Sequence, residues 1–147
     1  MPWRPDRDML ANMSPVFVII GSVFAAVAAL IHVYIFVLES VTWTKESTRR
    51  VFGIRTAEDA ELMKPLAYNQ GFYNLFLALG TATGLVMIAV TSVSQAGFAV
   101  AIFALLSMVL AAVVLISSNP KLARSALIQG AAPLLGLVFL VLGVVAG

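Results

Sequence analysis

Four unbroken apolar stretches, each long enough to cross a bilayer, leave this chain little freedom in what it can fold into. They run from about Pro15 to Leu38, Pro65 to Val90, Ala96 to Ser117 and Ser125 to Ala146. A helix needs roughly 20 apolar residues to span a hydrocarbon core of about 30 Å. Within hydrocarbon the backbone must satisfy its own hydrogen bonds, so each stretch is expected to form a transmembrane α-helix. Only 11% of the 147 residues are charged, against about 25% in an average soluble domain. The expectation is an all-α fold: an antiparallel bundle of four transmembrane helices over residues 15–147, behind an N-terminal tail of residues 1–14. The first stretch is longer than the about 7 to 15 apolar residues of a secretory signal, and no polar cleavage region follows it, so it is read as a retained helix. Met13 offers an alternative start. Membrane lipids are thus the expected surroundings.

The nine Lys and Arg residues bear on orientation, because positive loops tend to stay in the cytoplasm. Arg4 and Arg7 share one side of a four-span chain. Lys45, Arg49, Arg50, Arg55 and Lys64 in the first loop lie on the other, with Lys121 and Arg124 in the third. That bias predicts both termini outside the cytoplasm, with a bacterial inner membrane as the expected location. The formal charge of +2 is a topology signal, since Glu58, Asp59 and Glu61 follow the arginines in the same loop. This mixing of signs does not build a nucleic-acid groove, and no nucleic-acid partner is expected. Cysteine is absent, which excludes disulfides and thiol chemistry.

The first loop is the one sizeable hydrophilic segment. Val51, Phe52 and Ile54 among Arg49, Arg50 and Arg55 suit a short interfacial segment at the lipid headgroups, with Gly53 marking a turn. Thr56 ahead of Glu58, Asp59 and Glu61 reads as an N-cap with acidic residues at the positive end of a helix. The second helix therefore begins before the membrane, and Pro65 bends it at entry. The remaining connections are short, so sequential helices are expected to be antiparallel neighbours.

The first stretch carries the chain's one histidine, His32, and runs into Glu39. An ionisable residue within a span is costly and usually functional. His32, Phe36, Glu39 and Trp43 form one stripe of the first helix; Gln70, Tyr73 and Asn74, with Asn69 beside them, form a similar stripe on the second. At 1.5 Å per residue, Glu39 and Gln70 both lie about 6 to 8 Å deep, and His32 and Asn74 roughly 13 to 17 Å. Gln129 of the last helix lies at a depth like that of Glu39. Polar groups facing lipid would each cost several kcal/mol, so the stripes are expected to meet around a polar, cytoplasm-facing pocket. His32, Glu39, Trp43, Asn69, Gln70, Tyr73, Asn74 and Gln129 are its candidate ligand-binding residues.

The same residues carry a resemblance. The segment from His32 through Glu39 with Trp43, the string Asn69-Gln70-Gly71-Phe72-Tyr73-Asn74 continuing to Ala78 with Gly80, and Gln129 with Pro133 resemble the signature of the small bacterial membrane proteins called domain of unknown function 1304. The likeness runs from the first helix to the last. It implies a four-helix membrane bundle and no particular reaction.

Plainer roles compete for each residue. Glu39 could pair with Lys64 or Arg124, or reach the headgroups. His32 could be glue, hydrogen-bonded to Asn74 or Tyr73. Gly80 and Gly84 form a GxxxG that suits close helix packing. No phosphate loop or nucleophile elbow is present, and one histidine cannot make a two-histidine metal site. His32 and Glu39 are about 10.5 Å apart along the axis, too far to share one ion comfortably. No catalytic residue, metal or cofactor is therefore assigned.

A proton is easier to accommodate, because burial disfavours the charged form of either side chain. Three readings stay open: a pocket that binds or transports a small amphipathic molecule with proton coupling, an enzyme acting on a lipid-like substrate, or a partner subunit of a membrane complex. A homo-oligomer is compatible with all three.

Overall fold

The computed structural model describes residues 13–146. Helix α1 spans Pro15–Phe36 and passes directly into one π-helical turn, Val37–Val41. A short α2 covers Glu46–Val51, α3 covers Ala57–Ala89, α4 covers Ser94–Ser118 and α5 covers Ala123–Val145. Single 3-10 turns at Thr91–Val93 and Pro120–Leu122 join the last three. Among the described residues there is no strand, and α1, α3, α4 and α5 are each long and apolar enough to cross a membrane. The expected tail of residues 1–14, with Arg4 and Arg7, falls almost wholly outside the described residues.

Local chemistry accounts for the element ends. Pro15 occupies the first turn of α1, where its missing N–H is no loss. The Thr56 hydroxyl accepts from the Asp59 N–H at 3.0 Å, capping α3 as its sequence suggests. That start lies eight residues before Pro65, which sits inside the helix. Asn119 caps the last connection by accepting from the Lys121 N–H.

The four long helices form a closed ring in which α1 touches α3 and α5, and α4 touches the same two from the opposite corner. Large apolar side chains such as Ile19, Leu30, Phe103, Val114 and Leu127 point outward, as a lipid-facing surface requires. The interior is made of small ones: Ala25, Ala28, Ala101 and Ala132 surround Leu105, Met108 and Leu140. Lipid tails are as apolar as leucine, so association in a membrane relies on close packing, and small residues let backbones approach.

Along the α1–α5 seam, Val18 meets Gly143, Gly21 meets Leu140 and Ala25 meets Gly136. Continuing that antiparallel register sets Ala28 against the buried Pro133 and brings Gln129 to the level of His32. On the α3–α4 seam Gly84 lies directly on Ala101.

A β-carbon at Gly84 would come within 2.6 Å of the Ala101 backbone nitrogen, whereas one at Gly80 would meet only the Ala104 methyl at 3.7 Å. Gly84→Leu is therefore expected to lose roughly 1–3 kcal/mol through overpacking. Gly80→Ala should unfold like the parent. Chemical denaturation in detergent micelles measures both, and equal stability of the two variants would contradict this seam.

Candidate functional site

The π turn decides how the end of α1 meets α3. There the Thr42 N–H bonds to the Val37 carbonyl, five residues back, at 2.9 Å. Neighbouring side chains diverge by about 100° in a regular helix; the wider turn draws Glu39 and Ser40 toward one side. Both face α3. The Ser40 hydroxyl donates to the Tyr68 carbonyl at 2.9 Å, and Glu39 Oε2 accepts from Asn74 Nδ2 at 2.9 Å. Gly71 permits this approach: a β-carbon there would overlap Ser40 Oγ and lie 3.1 Å from the Glu39 β-carbon.

Glu39 is 9% exposed and Asn74 is buried beside it. The Asn74 amide also donates to the Gln70 carbonyl at 3.1 Å, which fixes its orientation. A carboxylate offers about four acceptor positions, and this contact uses one. No cation compensates Glu39 among the described residues. Lys64 pairs with Glu61 instead, and Arg124 is exposed in the first turn of α5.

His32 lies deeper and is 1% exposed. Its Nδ1 sits 2.9 Å from the Ala28 carbonyl. A carbonyl only accepts, so Nδ1 carries the proton, and in the neutral ring Nε2 is left as the acceptor.

At the rim, Trp43 is buried; its indole N–H donates to the Ala60 carbonyl at 2.8 Å, and its ring packs on Phe52 with centroids 5.1 Å apart. Phe36 meets Phe72 edge-on at 5.2 Å, between the levels of Glu39 and His32. Thr42 and the buried Thr48 share a hydroxyl bond of 3.0 Å, which ties α2 to the end of α1.

The two stripes meet in a register that differs from simple depth matching. Asn74 meets Glu39, about two turns nearer the rim than the level of His32, because the Ser40–Gly71 contact fixes where the backbones touch. His32 bonds to its own helix, neither to Asn74 nor to Tyr73. Asn69, Gln70 and Tyr73 lie on the outer side of α3, with Tyr73 55% exposed, and Gln129 is half-buried. Two open grooves of about 400 and 450 Å³ lie in the first loop, and none of the eight candidates lines either. Among the described residues no three His, Asp or Glu side chains gather as a metal site would need.

Sequence reasoning passed over Ser40 and named Gly71 only within the resemblance, not as a site residue. A signal for them existed: Ala67, Gly71, Asn74, Ala78, Thr81 and Gly84 recur at spacings of three and four and form the buried face of α3. Asn74 lies in that row of small residues, whereas Gln70 and Tyr73 flank it.

Comparison with known proteins gives one match. Residues 26–141 fit the family model described as protein of unknown function (DUF1304). No curated protein and no solved structure matches the chain.

Replacing Asn74 by leucine leaves the Glu39 carboxyl buried without its donor, so Asn74→Leu is expected to cost roughly 1–3 kcal/mol. Glu39→Leu combined with Asn74→Leu should cost less than the two single changes together, with a coupling of about 0.6–2 kcal/mol for a hydrogen bond between membrane helices. A double-mutant cycle in detergent measures this. Strict additivity would show that the pair does not interact.

Proposed function

This chain belongs to the DUF1304 family, and we propose that Glu39 is a binding site for a small amphipathic cation, which it exchanges for a proton. The observation that supports this is a buried carboxyl with one amide donor and no cationic partner among the described residues. A carboxylate in a span needs a compensating proton or cation, and alternation between the two is the elementary step of proton-coupled binding or transport. His32, one level deeper with an acceptor nitrogen, would relay the proton or accept a hydrogen bond from the ligand. Trp43 closes the rim, and Phe36 with Phe72 supplies the apolar contact an amphipathic molecule requires. The positive first and third loops support an orientation with both termini outside the cytoplasm, in a bacterial inner membrane.

Asn69, Gln70 and Tyr73 favour a second role. Amides facing lipid are costly, so this outer face of α3 would pair with another helix, either of a second copy or of a membrane partner. That pairing is compatible with binding at Glu39.

Tetraphenylphosphonium serves as a lipophilic cation probe for protein in lipid nanodiscs. Protons compete with the cation for the carboxylate, so binding is expected to strengthen as pH rises from 5 to 8. Glu39→Gln should flatten that dependence while the protein stays folded. An unchanged pH profile in the variant would remove Glu39 from the mechanism.

The native chain has no cysteine, so Gln70→Cys introduces a single thiol. Oxidative cross-linking in native membranes is expected to give a disulfide-linked dimer if a second copy covers this face. A cross-link only to an unrelated protein would identify a heteromeric partner, and no cross-link would refute the pairing of this face.

A further inference from the structure

We propose that the turn after α2 is a phosphate-binding site for the headgroup of an anionic lipid, anchored by Arg49 and completed by Arg55. The backbone creates the site. At the end of α2 the Gly53 N–H bonds to the Arg50 carbonyl at 3.3 Å and the Ile54 N–H to the Arg49 carbonyl at 2.9 Å. Gly53 takes φ 71°, the left-handed conformation that such a helix-ending turn demands and that glycine adopts without a steric penalty. The chain therefore doubles back, and Arg55 joins Arg49 and Arg50 around one groove of about 400 Å³, whose other walls are Glu46, Gly53 and Ile54.

The charges in this groove are not equivalent. Arg50 is engaged by the Glu46 carboxylate one turn earlier. Asp59 lines the adjoining groove together with Arg55 and offsets part of its charge. Arg49 is different: its Nε is buried and has no hydrogen-bond partner. Arg49 also pairs with no carboxylate among the described residues and forms a wall of the open groove, so its guanidinium, short of acceptors, complements the two oxygens that a phosphate diester presents.

Position and shape favour a lipid as the source of that phosphate. The groove follows closely on Val41, where the first span ends, in a loop whose neighbouring spans would bring it to the headgroup layer. It also continues into a second groove of about 450 Å³ that shares Gly53, Ile54 and Arg55 and adds the apolar walls Phe52, Leu62 and Met63. Leu62 is 80% exposed, which is costly in water and favourable beneath the glycerol and acyl portion of a lipid. An anionic end at Arg49 with an apolar flank toward Leu62 matches a phospholipid. Basic clusters at a membrane boundary recognise such headgroups through charge and hydrogen bonding together.

The test offers detergent-purified full-length protein equal amounts of phosphatidylglycerol and phosphatidylcholine and reads the retained lipid by native mass spectrometry. The parent should retain phosphatidylglycerol in preference. Arg49→Gln should lower that retention about fivefold, the equivalent of one basic side chain at an anionic surface. Arg49→Gln with Arg55→Gln should abolish the preference. Arg49→Lys, which keeps the charge and loses Nε, should fall between parent and Arg49→Gln.

Lys121→Gln makes the same change in net charge in the third loop and should leave retention unaltered. An equal loss in Lys121→Gln, or no loss in Arg49→Gln, would overturn the site. Excess inorganic phosphate should leave the lipid bound; its displacement by phosphate would assign the site to a soluble anion and overturn the lipid assignment.

Discussion

The close approach of the π turn to Gly71 is the constraint on which the rest of the candidate site depends. Because α3 has no side chain at that point, Ser40 can reach the Tyr68 carbonyl, and Glu39 is carried inward to Asn74. Moving either backbone outward would leave a carboxyl and an amide unpaired in an apolar layer, where an unsatisfied polar group is expensive. One missing methyl group thus couples the geometry of two helices to the solvation of an acid. The same principle recurs at Gly84 and Gly136, but there only packing is at stake.

Polar contacts in this bundle are few and unevenly distributed. The α3–α4 and α1–α5 seams are built of alanine, glycine and leucine, with Phe24 stacked near Phe139 on the latter. The cross-helix side-chain hydrogen bonds gather at one end of α1, where Ser40, Glu39 and Trp43 each reach α3, while at the other end one backbone bond, from the Ser14 N–H to the Gly143 carbonyl, ties α1 to α5. Dispersion and close packing hold most of the ring, while one end is specified by directional bonds. That asymmetry separates a stable scaffold from a chemically particular corner. His32 stands between the two, buried like the scaffold yet carrying an acceptor nitrogen.

Much of this architecture was legible in the residues. The four spans follow from apolar run length, the cap at Thr56 from its acidic followers, and the turn at Gly53 from a glycine between charged neighbours. That Glu39 turns toward α3 followed from periodicity, but its amide partner there is Asn74, where depth had paired it with Gln70. The depth match itself was about one to two turns out, because counting residues from a membrane boundary takes no account of where two backbones touch. A π turn has no compositional signature, so the continuation of α1 to Val41 could not be read from the run ending at Leu38. The inward face of α3 was misassigned for Gln70 and Tyr73 because polar residues were weighed above small ones. In a membrane bundle it is the row of alanine and glycine that marks the inside.

Helix α3 has 33 residues and is about 50 Å long, well beyond the about 30 Å thickness of a hydrocarbon core. Its first turns would extend past the hydrocarbon core into the headgroup layer as a mast, to which Trp43 is lashed at Ala60. The end of α1 is therefore moored to α3 twice, at Asn74 and again about twenty ångströms further along the axis. Any rearrangement at the lower mooring strains the upper one. The upper mooring closes the arginine-bearing loop at its base, residues 44–59 running out from Trp43 and back to Ala60, so that loop and the buried acid share one mechanical frame.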